Sequence, residues 1–207
     1  MKSVCGHHPK IPGGEHLTAD GYPEELVIDE KEFLDQSYDY DFRHLTDSSA
    51  CKRGGEPYMR PAGWYRVALK VRGKFEDDVW LGAPGWRRES SQDEWPVCFH
   101  GTSFKGAEGI IENGFKPGPR ELFGRGVYST PDINIANSYA TEFESKKDGK
   151  RYKVLLQNRI NDKKREKCKR KDYWLIPIPK GTPADKEQDI IHHSIRAYGV
   201  LFKEIKK

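Results

Sequence analysis

The chain has 207 residues, enough for one domain with a full core and too few for two. Apolar residues make up 35% and charged residues 33%, and no run approaches the roughly 18 to 20 apolar residues of a membrane-spanning helix, so a chain embedded in the bilayer as helices is excluded. Five Trp, ten Tyr and nine Phe argue for an aromatic-rich core and against disorder over most of the length.

The net charge of +4 is unevenly placed: residues 1–63 carry twelve acids and seven bases, so the remainder holds a net +9. The basic excess peaks at Lys163-Lys164-Arg165-Glu166-Lys167-Cys168-Lys169-Arg170-Lys171, which reads as a solvated loop or as a contact for an anionic surface. Cys5, Cys51, Cys98 and Cys168 lie far apart, without CxxC spacing, so reduced thiols are expected. Cys5 with His7, His8 and His16 has the donor chemistry of a zinc site, but no second ligand pair stands at finger spacing. No metal is expected. The N-terminus lacks the continuous apolar core of a secretory signal, so the expected location is the cytoplasm, with the nucleus as the alternative.

In chain order, residues 1–63 read as an extension packing on the domain, rich in loop signals such as Pro12-Gly13-Gly14 and Gly54-Gly55. Within it a short helix is expected at Glu30 to Leu34, and a short strand where Tyr38, Tyr40 and Phe42 alternate with aspartates. A domain over residues 64–207 begins with Tyr65, Val67, Leu69 and Val71, which alternate with polar or small residues as a half-buried strand does. Pro96 to His100 reads as a buried strand ending at a histidine. A helix follows, with Phe104, Ala107, Ile110 and Ile111 on one face and Gly114 as its left-handed cap. Gly124 to Tyr128 reads as a brief strand. Thr130, Pro131 and Asp132 supply a cap, a first-turn proline and an acid for a second helix, expected to run to about Glu144 on an apolar face of Ile133, Ala136, Ala140 and Phe143. Strands are expected again at Tyr152 to Ile160 and Tyr198 to Ile205. The class is α+β, with short strands and few helices.

Three segments together resemble the catalytic domain of ADP-ribosyltransferases of the diphtheria-toxin and poly(ADP-ribose) polymerase type. They are Phe99-His100-Gly101-Thr102, then Phe123-Gly124-Arg125-Gly126-Val127-Tyr128-Ser129 with Tyr139 eleven residues on, and Tyr152 to Arg159 with a final strand at Tyr198-Gly199-Val200-Leu201-Phe202. The resemblance covers roughly residues 64–207 and implies split, mixed and antiparallel β-sheets that bind NAD as substrate. His100 would hold a hydroxyl of the nicotinamide ribose, and the backbone of Gly101 would grip the carboxamide. Tyr128 and Tyr139 would flank the nicotinamide ring, while Thr102 and Ser129 make further contacts. NAD cleavage passes through a transition state with oxocarbenium character, so positioning of the sugar and the leaving group carries the chemistry.

Two positions depart from that family. Ala197 stands where polymerising members have a glutamate, which argues against chain elongation, and Arg196 beside it is a candidate to fill the space and stabilise a pyrophosphate or an acidic acceptor. Ala136 replaces a carboxamide-binding serine. The expected activity is NAD-dependent mono-ADP-ribosyl transfer to an unidentified protein or nucleic-acid acceptor. The alternatives are an NAD glycohydrolase and a catalytically silent module that binds NAD, ADP-ribose or nucleic acid. An RNA 2′-phosphotransferase shares the His-Gly-Thr element but favours a basic residue where Tyr128 stands.

Overall fold

The computed structural model describes residues 29–46, 50–118, 122–145, 148–168 and 172–206. Asp29 caps α1 (Glu30–Phe33) by accepting from the Lys31 and Glu32 amides, and Leu34 leaves the helix to bridge Leu69. After a 3₁₀ turn comes β1 (Tyr40–Asp41). β2 (Cys51–Arg53) and β3 (Glu56–Tyr58) form a hairpin where only loop signals were read. Its turn holds Gly54 and Gly55 at φ 58° and 77°, angles that a side chain would strain. β4 (Tyr65–Ala68) is the first half of the expected alternating strand, which stops short of Val71, and β5 (Val97–Gly101) ends just past His100.

Ser103 caps α2 (Phe104–Asn113), which Gly114 closes at φ 76°. β6 (Gly126–Ser129) follows. The N-cap of α3 (Ile133–Tyr139) is Asp132, not Thr130, whose hydroxyl instead accepts from the Asp132 amide at 3.1 Å. This helix stops at Tyr139 rather than near Glu144. Residues Glu142–Glu144 form β7, a hairpin partner of β8 (Arg151–Ile160), and Phe143 stacks on Phe104 with ring centres 4.6 Å apart. Packing of that ring on α2 outweighs the helical spacing of its side chain.

β9 (Glu166–Lys167) and β10 (Trp174–Pro177) precede α4 (Ala184–His192), whose acidic first turn and final histidine suit the helix dipole. The last strand, β11 (Ile195–Glu204), starts three residues before the expected Tyr198.

The main sheet runs β1-β4-β11-β8-β5, with β7 also on β8, and its pairs are antiparallel. A second antiparallel sheet runs β6-β10-β9. One face of the main sheet, with Cys98, Leu156 and Val200, buries Phe104, Phe115, Trp174 and Ile191. The other, with Phe99, Leu155 and Leu201, buries Tyr58, Trp64 and Ala136. Within β11 the register slips between Ala197 and Gly199, leaving Tyr198 in a bulge. The class is therefore α+β, with four α-helices among the described residues and mostly antiparallel sheets.

Candidate active site

The site lies where the two sheets part. Phe99 exchanges both backbone hydrogen bonds with Thr130, at 2.7 and 3.0 Å. Beyond that bridge β5 continues along β8 while β6 turns to β10. Backbone groups of an antiparallel strand alternate sides, so the N–H and C=O of Gly101 point to the edge that β6 has left. Among the described residues neither takes a hydrogen bond.

His100 closes the neck of this gap. Its half-buried ring donates from Nδ1 to the Tyr128 carbonyl at 2.8 Å, which leaves Nε2 as an acceptor, without a protein partner among the described residues. Phe115 meets the ring edge-on at 5.3 Å. Burial pushes the imidazole below its ordinary pKa, against the opposing effect of the carbonyl bond. Below about pH 6.5 the unfolded chain gains a proton at this histidine that the folded chain resists. Stability is therefore expected to fall between pH 7 and pH 5 by more in the parent than in His100→Gln, as checked by urea unfolding at both values.

Gly101 is required by the approach of α3. A Cβ there would lie 2.0 Å from the Ala136 carbonyl oxygen and 2.9 Å from the Tyr139 Cβ. Ala136 is thus buried beneath β5, and Tyr139 comes to lie beside the strand end. The Tyr128 hydroxyl donates to the Gly124 carbonyl at 2.5 Å and accepts from the Phe123 amide at 2.8 Å, so the phenol is tied across the glycine-flanked loop. Tyr139, 44% exposed, shares a 2.8 Å hydrogen bond with the hydroxyl of Tyr173. Tyr173 in turn packs against Phe123, with ring centres 6.1 Å apart. His100, Gly101, Tyr139 and the Tyr128 backbone are brought together, Tyr173 and Phe115 join them, and the Tyr128 phenol is held by the Phe123–Gly124 loop. The latter two escaped the sequence reading; the aromatic and apolar run Tyr173-Trp174-Leu175-Ile176 was the signal for a strand beside the Tyr128 motif.

The remaining candidates lie otherwise. Thr102 is half-buried, with its carbonyl accepting from the Thr141 amide at 3.3 Å. Ser129 is buried between β6 and β10, with its hydroxyl 3.5 Å from the Trp174 carbonyl. Arg196 is not brought to this group. It projects from the opposite face of the main sheet, stacks on Phe75 at 3.8 Å, bonds to the His192 carbonyl and pairs with Glu76 at 3.1 Å. The alternation of β11 decides this: Ala197, opposite Asn158 and through it Cys98, shares the His100 face, and its neighbour must point away. The space beside Ala197 is not filled by that guanidinium.

In the basic run, Arg165 stacks on Trp174 at 3.8 Å, and both Arg165 and Lys167 pair with Glu56 at 2.5 and 2.8 Å. Lys169 to Lys171 lie outside the described residues, as do Cys5, His7, His8 and His16. Among the described residues no group of three or more His, Cys, Asp or Glu side chains is placed to hold a metal ion, and no helix is long and apolar enough to cross a membrane. No family model matches the chain, and no curated protein matches it.

Proposed function

We propose that the chain is an NAD-dependent mono-ADP-ribosyltransferase with an ADP-ribosyltransferase-type fold. The observation that carries this reading is the open edge of β5 at Gly101, flanked by Tyr139 and by an imidazole that the Tyr128 carbonyl orients and whose other nitrogen is free to accept. A donor and an acceptor side by side match a carboxamide, and aromatic faces suit a pyridinium ring.

In the reaction the bond from the ribose anomeric carbon to nicotinamide breaks, and its electron pair leaves with the base. The acceptor then attacks the oxocarbenium-like sugar and gives up a proton. His100 Nε2 accepts from a ribose hydroxyl and orients the sugar. The lowered pKa keeps the ring neutral, so no cation opposes the charge building beside it. Ala197 offers no carboxylate to polarise a further ribose, which favours a single transfer. The same lack supports a second reading, NAD glycohydrolysis, in which water takes the place of the acceptor.

The test is incubation with NAD labelled in its adenylate half, with and without cell extract. Nicotinamide release with label on a macromolecule is expected. Both should fall about a hundredfold in His100→Ala and in Tyr128→Ala with unchanged folding, the scale of loss when a reacting group is misplaced. Release without macromolecular label identifies the glycohydrolase. Binding of NAD without release identifies a silent module, and equal release by parent and variants sinks the site assignment. Tyr173→Phe removes only the hydroxyl that holds Tyr139, so steady-state kinetics are expected to show KM for NAD raised about threefold with kcat little changed, the effect of one weak neutral hydrogen bond.

A further inference from the structure

The opposite face of the main sheet holds a separate hollow of about 450 Å³, roofed by residues from Asp35 to Phe42 and by the loop from Leu81 to Arg87. It opens at the Val97 end of β5, four residues from Gly101 and on the side of the sheet away from the His100 ring. Six arginines line it, Arg53, Arg60, Arg66, Arg72, Arg87 and Arg159, against two aspartates, Asp35 and Asp39.

Nearby carboxylates leave a cationic excess. Glu94 serves both Arg87 and Arg159, and Asp78 lies 3.6 Å from Arg72. Asp39 accepts from the Ala68 amide at 2.7 Å, and Asp35 accepts from the Ser37 amide at 3.2 Å. Among the described residues no ion pair reaches Arg53 or Arg66. Arg53 donates to the carbonyls of Lys52 and Arg87, and Arg66 to the Tyr38 carbonyl and the Gln157 side chain. Arg159 is 5% exposed, yet its Nε has no hydrogen-bond partner, and the buried Nε of Arg66 has none either. Native proteins rarely leave charged donors so.

The aromatic lining is equally particular. Tyr198, lifted by the β11 bulge, lies between the guanidinium groups of Arg66 and Arg159, at 5.7 and 5.4 Å from its ring centre. Three large side chains that are exposed line the same hollow: Tyr38, Tyr40 and Trp86, the last 54% exposed. Guanidinium groups hold phosphate through charge-assisted bonds, and exposed rings stack on bases. Neither feature alone defines a ligand, but walls of arginine beneath a rim of aromatic rings fit a phosphate joined to a planar base.

We propose that this hollow is a second ligand site that takes a nucleoside monophosphate, with the phosphate held by the Arg66 and Arg159 group and the base stacked at the Trp86 rim. The site is independent of the reading given for the β5 edge.

The test is calorimetric titration of the full chain with the four common nucleoside 5′-monophosphates, with adenosine and with inorganic phosphate, each repeated for variants. Saturable binding of at least one nucleotide is expected. Trp86→Ala, at the exposed rim, should weaken it about tenfold, the effect of losing one base-stacking ring. Arg66→Gln should weaken it about tenfold or more, as loss of a charge-assisted contact does, and Arg66→Lys should restore only part, because the planar fork is lost. His100→Ala should leave binding unchanged. The absence of saturable nucleotide binding would overturn the proposal. So would binding that survives both Trp86→Ala and Arg66→Gln, binding that falls with His100→Ala alone, or inorganic phosphate binding as tightly as any nucleotide.

Discussion

Glu94→Ala is expected to lower the free energy of unfolding by about 3–5 kcal/mol, the cost of removing one partner from a buried ion pair. The Glu94 side chain has no exposed surface. It pairs with Arg87, lies 3.4 Å from Arg159, and accepts from the Gly54 and Ser91 amides at 3.1 and 3.0 Å. One carboxylate thus ties the β2–β3 turn, the loop before β5 and the end of β8. Truncation leaves the Arg159 guanidinium buried without its counter-charge and two amides without an acceptor. Urea unfolding measures the loss, and Glu94→Gln should recover part of it by keeping an amide acceptor. Burial alone would raise the Glu94 pKa, but Arg87 and Arg159 outweigh it and hold the carboxyl below its ordinary value. A depressed carboxylate stabilises the fold above its unfolded pKa, so this contribution should persist at neutral pH and fade as acid carries the solution below about pH 4.5. A change in unfolding free energy below about 1 kcal/mol would show that the cluster is dispensable.

Gly101→Ala is expected to cost about 1–3 kcal/mol, the price of forcing an added methyl into a packed contact, and, under the proposed activity, to abolish nicotinamide release. The obstructing atom is the Ala136 carbonyl oxygen at 2.0 Å, which is helix backbone and cannot swing aside as a side chain would. Either α3 lifts from β5, carrying Tyr139 with it, or β5 twists, carrying His100. Each route dismantles the constellation at the strand end. Gly109→Ala is the matched control, because nothing lies within 4 Å of a Cβ there and the position is inside α2. That change should leave activity intact and stabilise the helix by about 0.5–1 kcal/mol. Thermal unfolding and nicotinamide release, measured side by side on both variants, separate the two outcomes. A fully active Gly101→Ala protein would show that the strand end has room the packing denies it.

Elements that carry their own local signature were legible in the sequence. Gly114 closes an apolar face and marks the end of α2, and the alternation that starts at Tyr65 marks β4. What escaped depends on contacts distant in the chain. Gly54-Gly55 and Pro57 signal a loop until Cys51 and Tyr58 find an apolar cluster to join. α4 offers only Ile190 and Ile191 as large apolar residues, too little periodicity to declare a helix before a sheet face exists to receive them. The same division holds at the candidate site. His100, Gly101, Tyr128 and Tyr139 sit in short motifs, whereas Tyr173 reaches Tyr139 across 34 positions of chain through the pairing of β10 with β6. Arg196 shows the reverse hazard. Adjacency to Ala197 suggested a shared role, but neighbours along a strand face opposite ways.

Consider β11 with Tyr198 deleted. Ile195 and Ala197 would keep their side, Arg196 and Gly199 theirs, and Val200 would follow in step, since Asn158 and Gln157 already stand opposite Ala197 and Gly199 as consecutive partners. The strand would then alternate without interruption, and the face with Leu201 would lose only the packing of the Tyr198 ring. The middle strand of the sheet therefore carries a residue that is surplus to its pairing with β8, although its carbonyl still accepts from the Leu69 amide at 3.0 Å, and that residue contributes a phenol near two guanidinium groups. A side-chain exchange at such a position leaves the alternation of the strand untouched, so the lining of the arginine-rich hollow can change there without a change of register.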